Sequence, residues 1–354
     1  MKERKMPTTK PVRLIDIARE AKVSPTTVGY VLQGSGGKNI RVAEETAQRI
    51  REIAEKLNYR PNQAARQLAG KRSKTIGILM DPKPLMINSI RLAQMGFKAK
   101  EAGYHLIIVH EYPTPASIDE AVDELISRGV DGVICMHHIY PEPDIDIPKV
   151  VSQKFSKVVF IDPPSISNAT FAAFDYEDSA IQMMEYLYNK GHRRIAFATT
   201  NLDWHSPQSL YNGYIKSSRR LGLEIEKDLI WVATDHGLNG DSWYTPPKYT
   251  DIFIEKTIRQ AKADVVFTAN DHLAVQIITQ LKNAGIRVPD DVAVAGSGNY
   301  DIGRLISPQL TTTDQKFADV AHEAVNLLVD MIEKDKKKDK SVLIKADIIE
   351  RESA

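Results

Sequence analysis

Three groups of residues in this 354-residue sequence have side chains and spacings that suggest chemistry. Asp203, His205 and Ser206 are triad members by type, but groups one and two positions apart cannot align nucleophile, base and orienting acid across one substrate. His110, His137 and His138 suggest a metal, yet no carboxylate or thiolate accompanies them at ligand spacing, and adjacent strand residues point to opposite faces. No phosphate-binding glycine loop of the P-loop or dinucleotide type is present. The expectation is therefore no enzyme, no metal site and no cofactor. The third group is Ser24-Pro25-Thr26-Thr27 with Tyr30, whose hydroxyls suit hydrogen bonding to base edges and phosphates.

The elements around that third group fit the same chemistry. Leu14, Ile17, Ala18 and Ala21 fall on one helical face, Lys22 and Val23 make a tight turn, and Ser24 is a good N-cap with Pro25 at the first helical position. A third helix over Ala43 to Leu57, with Ala43, Ala47, Ile50, Ile53, Ala54 and Leu57 apolar, closes a small core. Met1 to Lys74 carries 17 Lys/Arg against 7 Asp/Glu, a charge of +10, whereas the other 280 residues carry 30 against 39, or −9. A basic module on a mildly acidic body meets a polyanion, so the three helices read as a helix-turn-helix whose second helix enters the major groove of DNA. Thr26 and Tyr30 then face base edges, Ser24, Thr27 and Asn39 face phosphates, and Pro25 packs. The bland reading is a helical bundle of no special function, which the charge asymmetry opposes.

Tyr59 to Lys71 reads as a short linker helix, started after Pro61 by Asn62 and stopped by Gly70. Eight residues are too few to stay helical alone in water, so contacts on both sides must hold it. Leu68 suits a wedge between base pairs in the minor groove, with Arg66 and Lys71 at phosphates. Packing of Leu68 on the body is a nearly equal reading.

From Thr75 onward short β-branched runs alternate with longer amphipathic ones. Strands are expected at 75–80, 105–110, 131–136, 157–162, 195–199, 229–233, 264–269 and 291–295, with helices between them and a last strand over Val342 to Glu350. Near-continuous apolar strands separated by helices mean parallel sheets covered on both faces, a doubly wound α/β body. Similar helix endings at Gly103 and Gly285 suggest two related subdomains with a ligand cleft at the strand carboxyl ends. The run Glu333 to Lys340 reads as a solvated connection. Cys135, the only cysteine, is read as a small buried side chain, and no segment approaches ~18 consecutive apolar residues, so a soluble cytoplasmic protein without a membrane partner is expected.

From Val12 to Ser353 the sequence resembles the LacI/GalR family of bacterial transcription repressors. The stretches that carry the resemblance are 15–24 with Thr27 and Val28, 59–62 with 65–69, 75–78, Arg128-Gly129-Val130-Asp131-Gly132, 191–195, Ala269-Asn270-Asp271, 288–292, 310–312 and 351–353. The resemblance implies an all-α headpiece over 1–60, a hinge helix and linker over 61–73, and a periplasmic-binding-protein-like core over 74–354. Within the core it implies one subdomain of 74–173 and 315–340, and a second of 174–314 and 341–354. It also implies a homodimer on a pseudo-palindromic double-stranded operator, with Leu68 as the wedge and a small-molecule effector in the cleft. No Leu heptad extension follows, so tetramers of the kind found in one branch of the family are not expected.

Departures from the family pattern matter as well. Gly29 and Tyr30 stand where Ser and Arg are usual, which removes an Arg able to pair bidentately with guanine. Leu210 occupies the position of the usual cleft Arg, and Gly298 that of the usual acidic residue. Asp81, Asp162, Asn270, Asp271 and Asn299 remain to hold an effector, with Trp204 and Trp243 available to stack on a ring or simply to pack at the rim. The expected function is a repressor released when a sugar or sugar derivative binds. The alternatives are a regulator whose DNA binding a corepressor or partner protein promotes, and a cytoplasmic solute-binding module.

Overall fold

The computed structural model describes residues 12–33, 42–59, 72–80, 86–110, 115–136, 146–238, 245–335 and 340–354. The chain divides into two units, residues 1–75 with 129–131, and residues 76–128 with 132–354.

In the first unit three helices form as the apolar spacing predicts: α1 (Leu14–Ala21), α2 (Pro25–Gln33) and α3 (Glu44–Lys56). Asp16 closes the start of α1 by accepting from the Arg13 backbone N–H at 2.9 Å. Lys22 ends that helix in the left-handed region at φ 55°, which reverses the chain into α2. Ile17, Ala18, Ala21, Val28, Ile50 and Ala54 form the small core. Ala43, expected inside it, is instead the exposed N-cap of α3.

The second unit is the expected doubly wound body. In chain order its elements are β1 (Thr75–Met80), α4 (Met86–Glu101), β2 (His105–His110), α5 (Pro115–Ser127), β3 (Gly132–Met136), α6 (Ile147–Lys154), β4 (Val158–Ile161), β5 (Phe171–Phe174), α7 (Tyr176–Asn189) and β6 (Ile195–Thr199). There follow α8 (His205–Leu221), β7 (Ile230–Val232), α9 (Pro247–Phe253), β8 (Val265–Thr268), α10 (Asp271–Asn283), β9 (Ala293–Gly298), α11 (Ile302–Leu305), β10 (Thr311–Asp314), α12 (Phe317–Lys334), β11 (Ser341–Ile344) and β12 (Asp347–Ile349). The strands make two sheets of six, ordered β11-β5-β4-β3-β1-β2 and β12-β10-β9-β8-β6-β7. The β10–β12 pair is antiparallel, while β1–β3, β3–β4, β6–β8 and β8–β9 are parallel, as buried strands with helical crossovers require.

The chain passes between the sheets three times: from β5 into α7, from β10 into α12, and from β11 into β12. The last crossing corrects the expectation of one final strand over Val342 to Glu350 belonging to the second subdomain. Residues 341–344 pair with β5 in the first sheet, and only Asp347–Ile349 pair with β10 in the second. Thr311, Thr312 and Thr313 are fully buried in β10 although threonine is polar. Their hydroxyls are satisfied by Ala354 O, by Asp271 Oδ1 and by Ser297 Oγ, at 3.1, 2.6 and 3.1 Å.

Close helix packing in the second lobe depends on Gly213 of α8, where an added Cβ would lie 2.4 Å from the Glu177 carbonyl oxygen and 2.7 Å from Ala180 Cβ of α7. Gly213→Ala must push the two helices apart, and it is expected to lower unfolding free energy by about 1–3 kcal/mol in denaturant titration. An unchanged midpoint with an unchanged slope would show that the helices slide at no cost.

Candidate functional site

In the first unit the residues expected to read DNA sit at the start of α2. Ser24 caps the helix, its Oγ accepting from the Thr27 N–H at 3.1 Å and lying 2.8 Å from Thr27 Oγ1. Ser24, Pro25 and Thr26 are exposed, and Thr27 and Tyr30 are half-buried. Thr26 and Tyr30 are four positions apart and therefore share a helix face. Val28, on the other side, is fully buried against α1 and α3. Arg49 of α3 donates to the Ala21 carbonyl at 3.3 Å, fixing α3 to the turn that presents α2. Asn39, Asn62, Arg66, Leu68 and Lys71 lie outside the described residues.

In the second unit a polar cluster lies where strands of both sheets end and two of the crossings begin. Asn88 and Arg91 come from α4, Asp162 follows β4, Tyr176 opens α7, His205 opens α8, Tyr300 follows β9 and Phe317 opens α12. Arg91 is 1% exposed, and its Nη2 reaches the Tyr176 hydroxyl at 3.5 Å, the outer limit of a hydrogen bond. Its guanidinium carbon stands 5.9 Å from the centre of the Phe317 ring, which stacks on Tyr300 at 5.5 Å. Burial works against the Arg91 charge, but Tyr176, Asp162 and Tyr300 nearby outweigh it and hold the guanidinium protonated. Burial also pushes the Tyr176 hydroxyl up to about 12, with Asp162 adding to the shift and Arg91 opposing it.

Several polar atoms in this cluster have no hydrogen-bond partner among the described residues: Asn88 Nδ2, Arg91 Nε, Asp162 Oδ1 and His205 Nδ1. Two are donors, one is a carboxylate acceptor, and the histidine nitrogen takes either role. Buried polar atoms are costly to leave unmatched, so the cluster presents a donor edge and an acceptor edge to a polar ligand. Asp162 holds φ 77°, a left-handed backbone that non-glycine residues adopt mainly at turns and functional positions.

Other expected effector residues are committed elsewhere. Asp271 is fully buried, with Oδ1 accepting from Thr312 Oγ1 at 2.6 Å and Oδ2 from the Tyr300 N–H at 2.7 Å, so its two oxygens hold β10 and the loop after β9 in place. Asn270 caps α10 by accepting from Leu273 N–H at 2.9 Å. Asn299 accepts from Arg351 Nη2 at 2.6 Å and donates to Asp314 at 3.3 Å. Leu210 is 1% exposed within the apolar core and offers no polar atom. Trp204 is half-buried at the N-cap of α8. Asp81 and Trp243 lie outside the described residues. Sequence reasoning missed Asn88, Arg91, Tyr176, Tyr300 and Phe317. One signal was available: Arg91 shares a helical stripe with Met95 and Ala99, both fully buried, and a charge on such a stripe marks a site.

Comparison with known proteins matches residues 13–62 to the model for bacterial regulatory proteins of the lacI family and residues 184–354 to a periplasmic binding protein-like domain. Catabolite control protein A of Staphylococcus xylosus is 28% identical over 327 residues, covering 90% of this chain and 91% of that protein. An HTH-type transcriptional repressor PurR of Histophilus somni is 25% identical, covering 96% and 97%. Among solved structures, a lac repressor dimer bound to operator and an anti-inducer has a TM-score of 0.80 at 22% identity, covering 97% of this chain and 99% of that one. A transcriptional regulator CelR–cellobiose complex has a TM-score of 0.68 at 21% identity, covering 98% and 100%.

Asp271 gives the fold a pH signature. Burial raises its carboxyl to about 6 from an ordinary 3.8, with Thr312 and the Tyr300 amide opposing the shift. The folded state thus holds a proton that the unfolded chain releases, and its contribution to stability is full below pH 3.8 and lost as pH rises through about 6. The stability difference between the parent and Asp271→Asn should therefore fall with rising pH between 4 and 6, by at most about 1.4 kcal/mol per pH unit. A difference that is flat across this window would disprove the assignment.

Proposed function

The chain belongs to the lacI family of bacterial regulatory proteins, and from that premise we propose how this DNA-binding transcriptional regulator reads its operator and its effector. Thr26 and Tyr30 contact base edges in the major groove, and Ser24 and Thr27 contact phosphates. The observation that carries this reading is the Ser24-capped start of α2, with Thr26 exposed and Tyr30 on the same face, in a unit bearing a surplus of positive charge. Two copies bind a pseudo-palindromic duplex, with Leu68 wedged in the central minor groove and Arg66, Lys71, Asn39 and Asn62 at the backbone. The protein acts as a cytoplasmic regulator and not as an enzyme, a reading supported by its similarity to proteins named as transcriptional repressors and control proteins.

The effector occupies the cluster between the two sheets. Arg91 and Asn88 donate to its acceptor atoms, Asp162 accepts from its hydroxyl or amine, and Tyr176, Tyr300 and Phe317 cover its ring faces. Arg91 and Asp162 cancel in charge, which favours a small polar molecule of no net charge such as a polyhydroxylated ring. Binding pulls the lobes together and changes the equilibrium between conformations that differ in DNA affinity, which makes the protein a repressor released by its effector.

Two measurements test this reading. With a duplex selected from a random pool, Thr26→Ala and Tyr30→Ala should each narrow the affinity gap between selected and random DNA by about fivefold or more, consistent with ~1–3 kcal/mol per base contact. Lys71→Ala should instead weaken both duplexes together and flatten the salt dependence. Equal effects of the two kinds of substitution would remove the base-reading role. For the effector, neutral sugars, sugar acids, amino sugars and nucleobases are screened by thermal shift, and Arg91→Met should abolish stabilisation by any active compound while leaving the selected duplex bound. Full retention of that stabilisation would place the ligand elsewhere.

A further inference from the structure

The motif Arg128-Gly129-Val130-Asp131-Gly132 has so far a place in the family pattern but no task. Gly129 takes φ 60° after α5, turning the chain toward β3. Gly132 leaves no room for a side chain, since an added Cβ would meet Leu328 at 2.8 Å and the Lys157 carbonyl oxygen at 3.2 Å. Between them Asp131 does something neither explains. Its Oδ1 accepts from the Ser73 N–H at 3.0 Å and from the Ser73 hydroxyl at 3.1 Å, and its Oδ2 accepts from the Lys74 N–H at 2.8 Å. The Asp131 N–H in turn donates to the Thr75 carbonyl at 2.8 Å.

Ser73 is only 3% exposed, and its hydroxyl also accepts from the Thr75 N–H at 3.1 Å. Lys74 is held at φ 55°, a strained backbone for a residue with a side chain. Thr75 and Asp131 lead straight into Ile76 and Gly132, which are register partners in β1 and β3. One carboxylate thus gathers the backbone N–H groups of Ser73 and Lys74 and the Ser73 hydroxyl, at the point where the linker becomes a strand of the core.

We propose that Asp131 is a positioning residue for DNA recognition: it clamps residues 73–75 so that the segment leading from α3 to β1 is rigid at its core end. Coupling between two sites requires a mechanical element with defined arrangements, and a freely pivoting junction would pass on no bias from either side. Hydrogen bonds to a carboxylate are stronger than neutral ones, and only a carboxylate offers acceptors on both oxygens. Asparagine has nearly the same shape but one acceptor oxygen, and its NH₂ would face a backbone N–H. This inference rests on the proposed DNA-binding role and extends it to a residue outside the helix-turn-helix.

The test uses the full chain, with a duplex selected from a random pool and a random duplex as the comparison. Asp131→Asn should lower the ratio of selected to random affinity by about tenfold or more, the effect of leaving a buried donor opposed, with random-duplex affinity within about twofold of the parent and the thermal transition retained. Asp131→Glu, which restores two acceptors, should recover part of the ratio. A ratio unchanged in the Asn variant overturns the proposal, and so does an equal loss on both duplexes, which would mean a general folding defect. If the Asn variant has no thermal transition, Ser73→Ala decides, because it removes only the hydroxyl that donates to Asp131 and accepts from the Thr75 N–H and leaves both backbone bonds to Asp131: about a threefold loss of the ratio supports the clamp and no loss overturns it. A parent chain that selects no duplex at all refutes the DNA-binding role itself, an outcome distinct from a selective parent with an unaffected variant.

Discussion

Three short crossings, at Asp175, at Gln315 and Lys316, and at Lys345 and Ala346, carry every covalent connection between the two sheets. That constraint makes the second unit two lobes rather than one slab, and it sets where a ligand can act. Tyr176 and Phe317 are the first residues past the first two crossings, so the rings expected to cover an effector are attached directly to the segments about which the lobes turn. Lys316 forms an ion pair with Asp347, tying the second crossing to the third. Its left-handed backbone, φ 49°, shows how sharply the chain must bend there. A ligand that touches both lobes then changes the preferred angle only through contacts that differ between open and closed forms.

The charged groups of the interior divide by the company they keep. Asp271 accepts from Thr312 of β10 and from Tyr300 of the loop after β9 and therefore functions as a structural tie, whereas Arg91 has no carboxylate within 4.0 Å among the described residues and leaves Nε unmatched. A buried ion without full pairing lowers stability, and proteins retain such ions mainly where something must be recognised. The resemblance implies a cleft cation on α8, where this chain has the buried Leu210, whereas its buried Arg91 lies on α4 of the other lobe.

Much of this architecture was legible because its signals are local. Near-continuous β-branched runs gave the parallel strands, and apolar spacing with a capping serine gave α2. The failures have physical reasons too. Phe171–Phe174 contains two alanines that carry no strand signal, and Thr311–Thr313 look like surface residues until their buried partners are known. The split of the last strand between two sheets is a matter of topology, which pattern alone does not encode. In the cleft, Asp162 was readable as an acid at a strand end, whereas Arg91 looks like one more solvent-facing charge until Met95 and Ala99 of the same helical stripe are known to be buried. Asp271 and Asn299 were assigned to a ligand because polar residues at strand ends usually face one; here other parts of the same lobe consume their hydrogen-bonding capacity.

Strands β11 and β12 are edge strands of different sheets, yet they are separated by only two residues near the carboxyl end. During synthesis neither lobe can acquire its final edge until residues 341–349 have emerged from the ribosome, and until then β5 and β10 present open backbone to any passing strand. The two lobes are therefore completed together by one late segment, and a ribosome that stalls shortly before it would release two aggregation-prone sheets instead of one finished domain and one unfinished one.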